Sequence, residues 1–319
     1  MRRLLGCCVL CLLGATCFAQ GWPSRPMRLV IPFAPGGGAD IAGRLIAQEL
    51  SEALKQTVLV ENRAGAGGTL ALDHVAKSPA DGYSIALGHL GGIAIAPFLY
   101  KTLPFDPIRD LVPVTLAVNG LSVLVVNPAL PVKTVAELIA YAKANPNKLS
   151  FGSAGSGTDT HLAGELFRTL TGTTMIHIPY KGGAPAMLDL IAGRTQLSFA
   201  SVATAISYVQ ADKLRAIAMT GSRRFDGLPG VPTIAESGVP GYEINNWYGL
   251  FVPAGTPQDI VTRLNAATVR AVQNPELRAR LTAAGLEPVW NTPSEFAAYV
   301  RSETAKWGKI VTESGATAN

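Results

Sequence analysis

The chain has 319 residues, of which 48% are hydrophobic and only 15% are charged. This composition excludes disordered, collagenous and coiled-coil proteins, and the length allows two compact domains that each bury a core. The 27 Lys and Arg residues exceed the 22 Asp and Glu residues and give a formal charge of +5, but they are scattered along the chain, so we expect no nucleic-acid partner.

The first segment, residues 1–19, has the pattern of a secretory signal peptide. Two arginines precede an apolar stretch shorter than the roughly 20 residues that span a membrane, and small residues at Cys17 and Ala19 mark a cleavage site. All four cysteines lie in this segment, so the mature chain has none. We therefore expect export to the periplasm and a mature chain that begins at Gln20, with a lipid anchor on Cys17 as a minor alternative.

Downstream of this segment, a strand, a glycine-rich turn and a helix follow one another twice. Short β-branched runs predict the strands, apolar residues at helical spacing predict the helices, and Asp40 is the expected N-cap of the first helix. The predicted elements are a strand at 27–33, a turn at 34–38, a helix from residue 39, a strand at 58–60, a turn at 64–68, a helix at 69–77 and a third strand at 83–87.

The same order returns further along the chain. The predicted elements of this second copy are a strand at 149–152, a turn at 153–157, a helix from 158–159, a strand at 175–180, a turn at 181–183, a helix at 185–192 and a strand at 196–200. Each copy is therefore a βαβαβ unit. Strands that alternate with helices in this way favour parallel sheets with helices on both faces.

Two apolar strands, at 121–126 and 244–252, lie outside the two copies. We interpret them as the two passages of the chain between lobes. This interpretation assigns residues 20–122 and 245–319 to lobe 1 and residues 123–244 to lobe 2. Two linkers between two lobes predict a hinge with a cleft.

The N-terminal ends of several helices are also marked. Thr134 and Glu137 have the spacing of a capping box. In the C-terminal part, Thr256, Asn274 and Thr292 each precede a proline that is expected at the first helical position.

Glycine loops that follow strands and open helices can bind anions, because the first N–H groups of a helix are unpaired and its dipole adds positive charge. Motifs for other chemistry are missing: the sequence has no P-loop, no dinucleotide fingerprint, no Gly-x-Ser-x-Gly elbow and no metal-ligand spacing among its histidines. We therefore expect no cofactor, no metal and no enzyme activity, with a periplasmic ester hydrolase as a minor alternative. Of the histidines, only His89 and His161 adjoin glycine loops and are candidates for ligand contact.

Five segments, at 22–37, 61–68, 180–186, 231–238 and 247–250, together resemble the Bug (Bordetella uptake gene) family. These proteins are the solute receptors of tripartite tricarboxylate transport systems. The resemblance implies an α/β, two-lobed periplasmic-binding-protein fold (Venus flytrap, type II) in which each lobe is a mostly parallel sheet flanked by helices. It also implies a monomeric receptor that captures a small organic carboxylate between its lobes and delivers it to two integral-membrane subunits. A sensor subunit that presents its ligand to a membrane kinase stays open as an alternative.

In the family, the loops that match 33–38 and 155–158 grip a carboxylate from opposite lobes, largely through backbone N–H groups and water. By this resemblance we expect the N–H groups of the loop glycines and of Thr158 to hold the charge, with Lys181 secondary. The expected donors are Gly36, Gly37, Gly155, Gly157 and Thr158. The full set of candidate ligand-binding residues is Phe33, Pro35, Gly36, Gly37, Asp40, Gly67, His89, Leu90, Gly155, Ser156, Gly157, Thr158, His161, Tyr180, Lys181, Ala200 and Ser201.

One departure from the family bears on the ligand. Many relatives carry an Asp at the end of the third strand of the second copy, where this chain has Ala200. An Asp could pair with an amino group and Ala200 cannot. The sequence therefore favours a dicarboxylate or an aromatic carboxylate over an amino acid.

Overall fold

The computed structural model describes residues 21–314, so the predicted signal peptide lies outside the described residues. The strands are β1 Met27–Ile31, β2 Val58–Asn62, β3 Ser84–His89, β4 Leu111–Gly120, β5 Ser122–Val126, β6 Ser150–Ser153, β7 Ile176–Pro179, β8 Leu197–Ser201, β9 Arg215–Met219, β10 Asn246–Pro253 and β11 Leu286–Pro288. The helices are α1 Gly38–Leu54, α2 Thr69–Ala76, α3 Ala96–Leu99, α4 Val135–Ala144, α5 Asp159–Thr171, α6 Gly183–Ile191, α7 Val202–Gln210, α8 Gln258–Gln273, α9 Pro275–Ala283 and α10 Pro293–Ser314. A 3-10 turn at Ala66–Gly68 precedes α2, and a π-helical turn at Gly91–Ile95 precedes α3.

The strands form two sheets, in the orders β11-β4-β10-β3-β1-β2 and β7-β6-β8-β5-β9. In the first sheet β1 pairs in parallel with β2 and β3, and in the second sheet β6 pairs in parallel with β7 and β8. These parallel strands come from the two predicted copies, so the repeated βαβαβ unit is confirmed. The other strand pairs of both sheets are antiparallel. Parallel pairing is therefore confined to the repeats, and the sheets are mixed rather than mostly parallel as expected, because the strands outside the repeats pair antiparallel with their neighbours.

The chain passes between the sheets at two places. The first passage is abrupt, because β4 ends at Gly120 in the first sheet and β5 begins at Ser122 in the second. The second passage lies between β9 and β10, which returns the chain to the first sheet. Each passage is followed by a strand that pairs with the third strand of a repeat: β5 lies beside β8, and β10 lies beside β3. The lobe boundaries drawn from the sequence stay a prediction.

Some elements differ from the sequence-based expectation. The ten-residue strand β4 was not predicted, because Pro113 and Thr115 interrupt its apolar pattern, and it forms through pairing with β10 and β11 on its two sides. Helix α7 and the short elements α3 and β11 were also missed. The first proline of the C-terminal part, Pro257, is the N-cap of α8 and not its first helical residue, whereas Pro275 and Pro293 begin α9 and α10 as expected.

The expected N-cap Asp40 is likewise in a different place. The N-cap of α1 is Gly37, whose backbone is extended, and Asp40 is the third residue of the helix. Its carboxylate reaches backward to the loop and does not cap its own helix start. Among residues 21–314, no helix is both long and apolar enough to cross a membrane.

Candidate functional site

The glycine loops of the two sheets meet at one cleft. Among residues 21–314, two hydrogen bonds cross it: the N–H of Ala34 donates to the carbonyl of Lys181 at 3.0 Å, and the hydroxyl of Tyr100 donates to the carbonyl of Ser156 at 3.2 Å. A Cβ built on Gly36 would lie 3.5 Å from the Cβ of Ala184 on the other side. The two halves are therefore in contact, and the cleft is closed.

A small space, here called the inner cavity, lies where α1, α5, α6 and α7 begin. Its volume is about 30 Å³, which is enough for a carboxylate group or a few water molecules and not for a larger group. It is lined by Phe33, Gly37, Gly38, Ala39, Ala154, Asp159, Thr160, Gly183, Ala186, Met187, Ser198, Ala200, Ser201, Thr204 and Tyr248.

The walls of the inner cavity carry hydrogen-bond donors that have no partner among the described residues. The N–H groups of Gly37, Gly38 and Ala39 stand at the start of α1, where a helix leaves its first N–H groups unpaired. The hydroxyls of Ser201 and Thr204 are buried and also lack a partner. In the part of the chain that the structure describes, no Lys, Arg or His lines this space. The cavity is therefore suited to an anion held by helix N-termini.

A larger space, here called the outer chamber, adjoins the inner cavity and has a volume of about 360 Å³. It is lined by Phe33, Gly65, Ala66, Gly67, Gly68, Tyr100, Ala154, Gly155, Ser156, Pro179, Tyr180 and Lys181. Phe33 and Ala154 belong to both spaces. A molecule with one end in the inner cavity would therefore extend past these two residues toward the aromatic walls of the chamber.

The predicted site residues divide into three groups. Four of them line the inner cavity: Phe33, Gly37, Ala200 and Ser201. The outer chamber contains Phe33 again together with Gly67, Gly155, Ser156, Tyr180 and Lys181. The remaining residues line neither space: Pro35, Gly36, Asp40, His89, Leu90, Gly157, Thr158 and His161. For all seventeen residues, direct contact with a ligand stays a prediction. Several residues of the third group, which line neither space, instead make contacts that hold the glycine loops in place.

Asp40 fixes the first glycine loop. Its carboxylate accepts hydrogen bonds of 2.9 Å from the N–H of Gly36, from Nε of Arg44 and from Nδ2 of Asn62. Burial acts to raise the pKa of Asp40, but the hydrogen bonds from Arg44, Gly36 and Asn62 outweigh it and lower the pKa below the ordinary value. The ionised carboxylate thus holds the loop against α1 and β2.

The second glycine loop is fixed by Thr158 and His161. The Thr158 hydroxyl accepts from the N–H of His161 as the N-cap of α5 and donates to the carbonyl of Gly155 at 2.7 Å. Nδ1 of His161 accepts from the N–H of Gly157 at 3.2 Å, and its ring stacks on His177 with centroids 3.9 Å apart. Burial lowers the pKa of both histidines, that of His177 to about 3, so both rings are neutral near pH 7.

Four of the five expected carboxylate donors are hydrogen-bonded within the chain in this structure. The N–H groups of Gly36 and Gly157 are bound by Asp40 and His161, that of Gly155 by the Ser153 hydroxyl at 3.1 Å, and that of Thr158 by the Gly155 carbonyl at 3.2 Å. Of the five expected donors, only Gly37 has no partner among the described residues. The N–H groups of the turns are therefore mostly taken up by neighbouring groups of the same loop or helix. The N–H groups that stay open are those at the start of α1.

His89 lies behind the site and not on its surface. It is fully buried at the end of β3, edge-on to Phe33 with ring centroids 4.8 Å apart, and a Cβ on Gly68 would touch its Nε2. Burial lowers the pKa of His89 to about 3, although a backbone group of Gly67 acts in the opposite direction. The neutral ring therefore supports Phe33 and the loop at Gly67 from below. No group of His, Asp and Glu within residues 21–314 is arranged to hold a metal ion.

Sequence reasoning missed five polar residues of the inner cavity: Asp159, Thr160, Ser198, Thr204 and Tyr248. Asp159 is 6% exposed, and burial raises its pKa to about 7, while its own N–H and that of Thr160 act in the opposite direction. The phenol of Tyr248 comes from β10, and burial, with the nearby Asp159, raises its pKa well above the ordinary value. Asp159 could have been suspected from its position directly after the N-cap Thr158, but Thr204 and Tyr248 gave no signal.

Comparison with known proteins adds a family to this geometry. The sequence profile described as the tripartite tricarboxylate transporter family receptor (TctC) matches residues 42–316. A UPF0065 protein from the tcbD-tcbE intergenic region of Pseudomonas sp. strain P51 is 39% identical, over 100% of this chain and 96% of that protein. The protein BugT of Bordetella pertussis is 36% identical, over 93% of this chain and 92% of BugT.

Solved structures with the same fold contain bound acids. An R. palustris protein solved with adipate superposes with a TM-score of 0.90 and 38% identity, covering 92% of this chain and 98% of that chain. MatC from Rhodopseudomonas palustris with bound malate superposes with a TM-score of 0.86 and 33% identity, covering 91% of this chain and 100% of that chain. The two-lobed α/β fold expected from the sequence is thereby confirmed.

Proposed function

Because the chain belongs to the tripartite tricarboxylate transporter receptor family, and is thus a solute-binding protein and not an enzyme, we propose that it binds a small organic carboxylate in the closed cleft. The observation that carries this proposal is the inner cavity, with its unpartnered donors at Gly37, Gly38 and Ala39. A carboxylate fits that volume and satisfies these donors. The buried hydroxyls of Ser201 and Thr204, which have no hydrogen-bond partner in the described part of the chain, can donate to the same carboxylate.

The ligand class that these surroundings favour is a dicarboxylate or an aromatic carboxylate. The relatives solved with adipate and with malate support the first. The aromatic walls at Phe33, Tyr100 and Tyr180 suit an apolar or aromatic remainder, and the exposed Lys181 can meet a second carboxylate. Ala200 brings no acid from the end of β8 that could pair with an amino group.

The cellular setting follows from the same proposal. The protein is exported by a signal peptide cleaved after Ala19, acts in the periplasm as a monomer, and delivers its ligand to two membrane subunits of a tripartite transporter. Closure supports this role, since only the closed form brings both sheets to the ligand at once.

A thermal-shift screen tests the proposal. The mature protein is heated with adipate, malate, acetate, benzoate and glutamate, and with adipamide as an uncharged control that matches adipate in length. A ligand at 100 times its dissociation constant adds about 2.7 kcal/mol to the free energy of unfolding. We expect a rise in Tm with adipate or benzoate and none with adipamide. A rise with adipamide equal to that with adipate, or no rise with any acid, would contradict carboxylate binding.

A further inference from the structure

The geometry points to Asp159 as a ligand-binding acid that enters the closed cleft in its neutral form and donates a hydrogen bond to the bound carboxylate. Ligand binding then takes up one proton from solvent. This inference rests on the proposed function and adds to it the residue that faces the carboxylate and the protonation state in which it does so.

The position of Asp159 places it next to any carboxylate that occupies the inner cavity. It is the first residue of α5, only 6% of it is exposed, and its carboxyl group lies in the wall of the inner cavity. The cavity holds about 30 Å³, so any carboxylate inside it lies within a few ångströms of every wall. A bound carboxylate and an ionised Asp159 would therefore form a close pair of like charges in a space with little water.

Among residues 21–314, no cationic side chain lines the inner cavity to separate these charges. The wall contributes Gly37, Gly38 and Ala39 from α1, Gly183, Ala186 and Met187 from α6, Ser198, Ala200 and Ser201 from β8, Thr204 from α7 and Tyr248 from β10. Among these, the phenol of Tyr248 is the one titratable group, and it is neutral. Asp40 on α1 is bound to Arg44 and Asn62. His161, on the helix of Asp159, faces Gly157 and His177, and its Nε2 lies 3.7 Å from the carboxylate of Glu165, which pairs with Arg168.

The free energy of the pair is lowest when one of the two groups carries a proton, as in other carboxylate pairs. Asp159 has the N–H groups of its own residue and of Thr160, but burial outweighs them and raises its pKa. The ligand carboxylate is the better anion, because it faces three open N–H groups of α1 and the hydroxyls of Ser201 and Thr204. Asp159 is therefore the group that is protonated. Its O–H donates to a ligand oxygen, the proton comes from water or buffer, and no other bond changes.

The pH range of the effect follows from the state without ligand. Burial already raises the pKa of Asp159 to about 7, and the ligand's charge raises it further. Below pH 7 the acid is neutral before the ligand arrives, and affinity does not depend on pH. Above pH 7 each binding event must also protonate Asp159. The dissociation constant therefore rises, approaching tenfold per pH unit by about pH 8.

Calorimetry with adipate as the probe tests this directly. Titrations at pH 8 in buffers with different heats of ionisation give the number of protons taken up, and we expect a value near one. Acetate, malate and benzoate are run in parallel. Binding of any of these acids with no proton uptake and no dependence on pH between 7 and 9 would overturn the role of Asp159 and leave carboxylate binding intact. Absence of binding by all of them would overturn the proposed function, and this inference with it.

Asp159→Asn supplies the second arm, because an amide has the shape of the acid, is neutral at every pH and can donate to the ligand. We expect this variant to bind adipate without proton uptake, with affinity that does not change between pH 7 and 9 and exceeds that of the unsubstituted protein at pH 9. Asp212→Asn, on an exposed residue with φ of 57° that Asn also adopts, is the matched control and should behave like the unsubstituted protein. Loss of adipate binding by Asp159→Asn but not by Asp212→Asn, at all pH values, would show that the site needs the ionised carboxylate of Asp159, and would overturn the inference.

Discussion

At the scale of single residues, Asp40 shows how a buried carboxylate can serve a binding loop without contacting the ligand. It joins Gly36, Arg44 and Asn62 and lines neither space of the cleft. Its oxygens accept three donors, one of which is the backbone N–H of the loop. The ionised carboxylate of Asp40 therefore helps to hold the open N–H groups of Gly37 and Gly38 in position.

Asp40→Asn tests this dependence through stability. The amide loses acceptor capacity toward Gly36 and Arg44, and a hydrogen bond to a charged group is worth about 1.5–3 kcal/mol. We expect the free energy of unfolding in urea at pH 7 to fall by roughly that amount. The folded pKa of Asp40 is lowered, so its contribution is present above the ordinary value of 3.8 and is lost as the pH falls through the folded value. The difference between the two proteins should therefore shrink in acid; a difference that grows there would contradict this account.

At the scale of secondary structure, two threonines cap helices in the same way but in different surroundings. Thr158 caps α5 beside the cleft, is fully buried and also binds the Gly155 carbonyl. Thr134 caps α4, is exposed, and accepts from the N–H of Glu137 at 3.2 Å. The two residues separate the effect of capping a helix from the effect of shaping the loop.

Thr158→Ala and Thr134→Ala make the comparison. Both should lower the free energy of unfolding, by about 1 kcal/mol for Thr134 and somewhat more for Thr158, which loses an additional buried hydrogen bond. Only Thr158→Ala should also weaken adipate binding, because the loop from Gly155 to Thr158 loses one of the two hydrogen bonds that close it. Thr158→Ser keeps the hydroxyl and should restore both properties. Equal loss of affinity in the two alanine variants would show that helix stability alone governs binding.

The same scale shows what the sequence could and could not predict. The strands and helices of the repeats were predictable, because each has a strong period and a glycine turn at its end. Strand β4 was not, because it becomes a strand through its neighbours β10 and β11 and not through its own pattern. For the site, the sequence predicted the glycine loops. It did not predict that Asp40 and His161 accept hydrogen bonds from the N–H groups of those loops. Asp159 was missed because its burial depends on α1 and β10, which are distant in sequence.

At the scale of the whole molecule, the two sheets are built on one plan. The orders β2-β1-β3-β10-β4 and β7-β6-β8-β5-β9 correspond strand by strand, and the strand that follows each passage lies beside the third strand of a repeat. As a result, α1 and α5 begin at equivalent ends of β1 and β6 and face the same cleft. The two halves differ at that cleft: α1 offers open N–H groups, and α5 offers the carboxyl group of Asp159.

How closely the halves approach is set by Gly38. A Cβ on this residue would lie 2.5 Å from Oγ and 3.0 Å from Cβ of Ser201 on the opposite side. A Cβ on its neighbour Gly37 would meet only ordinary contacts, the nearest being 3.7 Å from the N atom of Gly183. Neither residue has a positive φ, so alanine strains neither backbone. A methyl group at position 38 should therefore hinder closure of the cleft without straining the backbone of α1.

Gly38→Ala should consequently hold the cleft open, because Ser201 belongs to a sheet strand and cannot move aside cheaply. We expect small-angle scattering to show a radius of gyration that falls when adipate is added to the unsubstituted protein and to Gly230→Ala, a control at an exposed glycine where a Cβ would meet nothing within 4 Å. The radius should stay constant for Gly38→Ala. Calorimetry on the same samples should show at least a tenfold loss of affinity for Gly38→Ala, about 1.4 kcal/mol, since only the closed form satisfies the ligand from both sides. Full affinity in Gly38→Ala with normal compaction would mean that Ser201 yields, and that closure is not limited by this contact.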